Sequence, residues 1–215
     1  MAKWNRFPHT SADYSYDGEQ LLDSWPDLHQ GDCVEFPDAD WVEQVLDSAP
    51  DAAPESFDGD FSALAEIIQD AWRCFHSGDF EGAVSKSEQC GQLAHAAANK
   101  AEGIYATYLE PDESKQQAHY LAAIARAESA IEALPDDPNS HYFHAFNLGR
   151  YSQSISVVKA LSQGIGGKIQ TSLQNALELQ PEHAEAHTAM GMYLSLIHIS
   201  EPTRPSKSSR MPSSA

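Results

Sequence analysis

The sequence predicts an all-α fold: stacked helical hairpins that follow an acidic, partly ordered N-terminal arm. Three observations carry this. From residue 61 onward apolar residues recur at helical spacing, Gly and Pro clusters interrupt that period, and two pairs of segments resemble each other. No segment alternates with the period of two that a half-buried strand requires.

Residues 1–60 form the arm and its linker. Pro8, Pro26, Pro37, Pro50 and Pro54, with many Asp residues, predict mostly extended or loosely ordered chain. Two islands interrupt it. Tyr14, Tyr16, Leu21, Leu22, Trp25 and Leu28 predict a short amphipathic helix around 18–29. Trp41, Val42, Val45 and Leu46 predict a second, with Asp40 as its N-cap. Three tryptophans within the first 41 residues are costly to leave in water, so part of the arm is expected to dock on the helical body.

A linker at 48–60 leads to the main domain, 61–193. There Leu64, Ile67, Ile68, Trp72 and Phe75 mark a first helix, ended by Ser77-Gly78-Asp79. Phe80, Ala83, Val84, Cys90 and Leu93 mark a second. Further helices are predicted near 97–109, 113–134, 139–148, 151–162, 168–179 and from 182 onward. Their separators are Pro111-Asp112, Pro135 to Pro138, Gly164 to Gly167 and Pro181.

Composition bounds the function. The 215 residues carry a net charge of −19, and residues 1–60 hold 15 Asp and Glu against only Lys3 and Arg6, or −13 of that total. Such a surface repels phosphate, which disfavours nucleic acid and anionic membranes as partners and favours basic proteins or peptides. No run of eighteen apolar residues suggests a transmembrane helix, and no apolar stretch follows Met1 as a secretory signal would. Cys33, Cys74 and Cys90 are odd in number and lack metal-type spacing, the usage expected of reduced thiols in the cytoplasm.

Internal similarity refines the architecture. The segments Phe75 to Ser85 and Phe146 to Ser156 share the form F-x-x-G-x-F/Y-x-x-A/S-V/I-S, at an offset of 71 (146 − 75), about two repeats of ~34 residues. Ala130-Ile131-Glu132 before Pro135 matches Ala176-Leu177-Glu178 before Pro181, at an offset of 46 (176 − 130). These residues resemble the tetratricopeptide family, whose Gly-Asp-aromatic turn joins the two helices of a hairpin. GDFEGAV at 78–84 and ALELQPEHAEAHTAMG at 176–191 carry the likeness, with Gly78, Phe80, Ala83, Ala130, Pro135, Gly149, Tyr151, Ala176, Pro181 and Gly191 at motif positions. Ile67 and His187 depart from it, standing where a large aromatic is usual. The resemblance implies an α-α superhelix whose groove binds a protein or peptide. Stacking explains the pattern, because one hairpin cannot bury its own apolar stripe.

Candidate chemistry is thin. His183 and His187 lie at i, i+4, but the zinc-protease motif needs Glu directly after the first His, where Ala184 stands. His141 and His144 flank Tyr142 and Phe143 and read as packing residues, although a His cluster of 141, 144, 183 and 187 would be the alternative, a metal-dependent enzyme. Gly164-Ile165-Gly166-Gly167-Lys168 lacks the earlier Gly and the following Ser or Thr of a phosphate loop and reads as a break between helices. Asp136-Asp137 is expected to be solvated in a turn. No catalytic, cofactor or metal residue is therefore assigned. The expectation is a non-enzymatic helical-repeat scaffold that binds a protein or peptide, with regulation by the acidic arm as a further alternative.

The end of the chain reads differently. Leu194 to Arg204, LSLIHISEPTR, resembles the translation of a transposase-type sequencing-library adapter, and Ser209 to Ala215 resembles its distal part. Residues 194–215 are accordingly expected to be non-native, and the natural sequence to be cut after Tyr193.

Overall fold

Aspartate side chains set where many of the helices begin. A computed structural model describes residues 4–200, and ten α-helices and three short 3-10 turns lie in that span. They are α1 (Gln20–Leu28), α2 (Ala39–Ser48), α3 (Phe61–His76), α4 (Phe80–Ser87) and α5 (His95–Tyr108). Then come α6 (Glu113–Ala133), α7 (Pro138–Gln153), α8 (Val157–Ser162), α9 (Ile165–Leu179) and α10 (Ala184–Ser200). Asp38, Asp60, Asp79, Asp112 and Asp137 each accept hydrogen bonds from free backbone N–H groups at the start of α2, α3, α4, α6 and α7. Each such cap stabilises by about 1 kcal/mol. Some of the chain's acidity thus serves helix ends. The cap of α2 is Asp38, not Asp40, which is the second residue of the helix.

The helices form consecutive hairpins. α3 packs on α4, α5 on α6, and α7 on α9, while α4 on α5 and α6 on α7 join one hairpin to the next. The first helices also touch, α3 against α5 and α5 against α7. Ala83, Ala130 and Ala176 are fully buried, as residues at the closest helix approach must be for axes to come within ~8–10 Å. α10 packs on α9 and continues through position 193. Positions 201–215, most of the adapter-like stretch, lie outside the described residues.

Four expectations are corrected. α4 ends at Ser87, and a 3-10 turn and Gly91, in the left-handed region (φ 61), precede Leu93. A Cβ at Gly91 would collide with the backbone of Ala52 to Pro54, so close approach as well as φ requires glycine there. α7 runs unbroken through Gly149 and Tyr151, which were expected to form a turn like Gly78-Asp79-Phe80. Gly78 is a true turn residue (φ 83), whereas Gly149 is helical and Tyr151 is a buried core residue on α7. The expected helix 151–162 is instead the end of α7 and the short α8. Finally, the break at 164–167 shrinks to Gly164 alone (φ 63), with Gly166 and Gly167 in the first turn of α9.

The second internal pair does correspond. His141 donates from Nε2 to the carbonyl of Pro135, and His187 does the same to Pro181. Leu134 N donates to Ala130 O and Gln180 N to Ala176 O, so both helices close alike. Gly191 is an exposed helical position in α10, and His187 is exposed rather than a core residue.

The arm belongs to the core. Leu21 and Trp25 of α1 and Val42 and Leu46 of α2 share one apolar cluster with Leu64, Ile68 and Trp72 of α3 and Phe143 of α7. Leu21 and Val42 are fully buried, worth about 1.5–3 kcal/mol apiece. The expected linker also takes part, since Ala52 is fully buried and accepts from Gln92 N.

Candidate functional site

α3, α5 and α7 are the first helices of successive hairpins, α10 follows the last of them, and one loop of the arm touches all four. It runs from the end of α1 to the start of α2. His29 stacks on Trp25 at 3.9 Å between ring centroids and meets Trp72 of α3 edge-on at 4.5 Å. Asp32 receives the ammonium of Lys100, on α5, at 2.6 Å. Asn139, on α7, donates from Nδ2 to the carbonyl of Asp32 at 2.9 Å. Glu185, on α10, donates its backbone N–H to the carbonyl of Gly31 at 3.0 Å. Further along, Gln69 of α3 donates to the carbonyl of Pro37. Cys33 takes a left-handed conformation (φ 53), unusual for a residue with a Cβ, to keep the loop on this path.

Charge is concentrated where the loop crosses. Lys100 bridges Asp32 and Glu185, at 2.6 and 3.0 Å. Asp32 is fully buried. Burial alone would raise its pKa, but the His29 hydrogen bond and the Lys100 charge outweigh it and hold the carboxyl at about 2. Burial opposes the charge on Lys100 too, and the two carboxylates overcome it and raise its pKa. His76, beside His29 and Lys100, is pushed down to about 3 by burial and then by those two groups. The phenol of Tyr142 is raised by burial and by the neighbouring Glu185.

The tautomer of His183 follows from its contacts. Its Nδ1 accepts from Ala186 N, capping α10, so Nε2 carries the proton and donates to Asn139 Oδ1 at 3.2 Å. Burial lowers its pKa, in keeping with a neutral ring. A chain of hydrogen bonds thus runs from α10 through Asn139 to the arm.

The four histidines 141, 144, 183 and 187 do not converge. His141 and His187 bind prolyl carbonyls, His144 Nδ1 meets Ser172 Oγ at 2.7 Å, and His183 holds Asn139. No group of three or more His, Cys, Asp or Glu among the described residues could hold a metal ion. The His29–Asp32 pair has the contact of an acid–base dyad, but His29 is 3% exposed and enclosed by Trp25 and Trp72, which leaves a substrate no approach. Asp137, expected to be solvated, caps α7 and meets His95 Nε2 at 2.7 Å. His95 and the α7 backbone lower its pKa against the effect of burial.

The model of the regulator of microtubule dynamics protein 1-3 family matches residues 78–197, more than half of the chain. The chain belongs to that family. Family membership covers the hairpins from the Gly78 turn to α10, and so includes Lys100, Asn139 and Glu185 but not the arm that meets them. The match ends past the boundary expected at Tyr193. No curated protein and no solved structure matches the chain.

Sequence reasoning missed Lys100, Asp32, His29 and Asn139. One signal was available: Lys100 is the lone cation in the Ala-rich stretch 94–106, where a buried charge needs a partner.

Proposed function

We propose that this chain is a non-enzymatic, tetratricopeptide-like scaffold that acts on microtubule dynamics by binding a protein partner. The observation that carries the reading is the arm loop lying across α3, α5, α7 and α10, the way a bound segment occupies a repeat groove. Family membership supplies the process. A net charge of −19 supports a partner with a basic surface and argues against nucleic acid or anionic lipid. Three free thiols fit a cytoplasmic protein, and among the described residues no helix is long and apolar enough to cross a membrane. A second reading, regulation by the arm, is favoured by the Lys100 ion pair and the His29 hydrogen bond that hold Asp32 in place. The separation of the four histidines removes the support for a metal-dependent enzyme.

The test is growth of single microtubules from tubulin alone and from tubulin with its associated proteins, with and without the purified chain. A change in growth or catastrophe rate that weakens as salt rises is the expected result. Unchanged rates in both mixtures would overturn the reading.

A further inference from the structure

The N-terminal tip makes a set of contacts separate from those of the loop at Asp32. Trp4 stacks on Tyr105 of α5 at 4.1 Å and meets His119 of α6 edge-on at 4.8 Å. Its backbone N–H donates to Glu81 of α4 at 3.2 Å. Asn5 is bound twice, donating from its backbone N–H to Tyr105 Oη at 3.0 Å and from Nδ2 to the carbonyl of Leu109 at 2.9 Å. Phe7 fills the space above Gly78 that any Cβ there would need, and meets Phe80 edge-on. Two aromatic anchors three residues apart, with a doubly bonded amide between them, are how a short linear segment is held in a groove.

Two further facts bear on what the groove accepts. The only basic residues of positions 1–60 are Lys3 and Arg6, so the tip is the basic end of an otherwise acidic arm. Glu81 and Glu110 border the groove, and Glu110 also accepts from Tyr105 Oη. The tip can leave without unpicking the rest of the arm. Residues 8–12 are exposed, and firm anchorage resumes at Tyr16, whose carbonyl accepts from Arg73, and at buried Leu21 and Trp25.

We propose that the groove between α4, α5 and α6 is a docking site for a basic segment of a partner protein that carries Trp and Phe three residues apart, and that residues 4–7 are its resident occupant. This rests on the scaffold reading above and names the site and the chemistry of the partner. A free segment must displace the tip, so affinity for the intact chain is reduced by the fraction of time the groove is open.

The test uses the full chain carrying Trp4→Ala and Phe7→Ala, and a fluorescent synthetic peptide with the sequence of residues 2–10. The variant should bind the peptide saturably at one site, and the wild-type chain about tenfold or more weakly. Glu81→Lys added to the variant should abolish most of the binding, and a peptide with both aromatics replaced by Ala should not bind. If the double variant does not fold, Trp4→Ala alone, which removes the anchor stacked on Tyr105, serves in its place. Equal binding by wild type and variant, or none by a folded variant, overturns the docking site. The microtubule measurement is independent: altered growth without peptide binding sinks this site alone, whereas peptide binding without altered growth sinks the process assigned to the scaffold.

Discussion

Replacing Lys100 by Met tests whether the arm is clamped by charge. The change keeps the volume of the side-chain stem and removes the ammonium, leaving Asp32 fully buried with the His29 ring as its remaining side-chain partner. Removing one member of a buried ion pair costs about 3–5 kcal/mol. For a chain of this size that lowers Tm by roughly 10 °C, at ~2–4 °C per kcal/mol. The pH dependence gives an internal check. Asp32 falls from an ordinary 3.8 to about 2 in the folded protein. A depressed carboxyl contributes stability above its unfolded pKa and loses it as pH falls through the folded one. Here that is about 2 kcal/mol, present above roughly pH 4 and gone near pH 2. Urea unfolding of both proteins across this range should therefore show a gap that is widest near neutrality and narrows in acid. A loss under about 1 kcal/mol near pH 7, or a gap independent of pH, would refute the clamp.

Two glycine substitutions should move stability in opposite directions. Gly78→Ala forces a Cβ into the left-handed region and against Phe7, and should cost about 1–2 kcal/mol by urea denaturation. Gly149→Ala lies inside α7 with nothing within 4 Å of the new methyl, and should stabilise by about 0.5–1 kcal/mol; destabilisation would mean that a turn exists there after all. Asp79→Ala removes the cap of α4 and should cost about 1 kcal/mol in the same assay, against no loss if Gly82 N finds another acceptor. Cys90 is fully buried and its thiol is pushed up to about 12 by burial, so it should resist a thiol reagent at mild alkaline pH until urea unfolds the chain.

The helices were legible because their apolar period and their Gly, Pro and Asp punctuation agree. Leu64, Ile68 and Trp72 define the buried side of α3, and Asp79 both ends the Gly78 turn and caps the next helix. Docking of the arm could be foreseen from its tryptophans, and Trp25 and Val42 do reach the core. Its extent could not, because burial of Ala52 depends on a collision-free surface at Gly91, far along the chain. The motif at Phe146 to Ser156 misled for a local reason. Gly149 has the right neighbours for a turn, but Leu148 and Tyr151 both find core partners when α7 continues, and burial outweighs the helix cost of one glycine, about 1 kcal/mol. The polar network was invisible for the opposite reason: Asp32, Lys100 and Asn139 share no period and no motif, only a meeting point.

That meeting point changes how the molecule should come apart. A row of hairpins that touch only their neighbours behaves as a one-dimensional array, in which an end frays while the middle survives. Here Asp32 holds Lys100 across 68 positions and Asn139 across 107, so the first segment synthesised must wait for much of the remainder before its contacts can form. Long-range closures of this kind slow folding and tie distant hairpins to one transition. Amide exchange should then report α3 and α7 opening together rather than in sequence from one end.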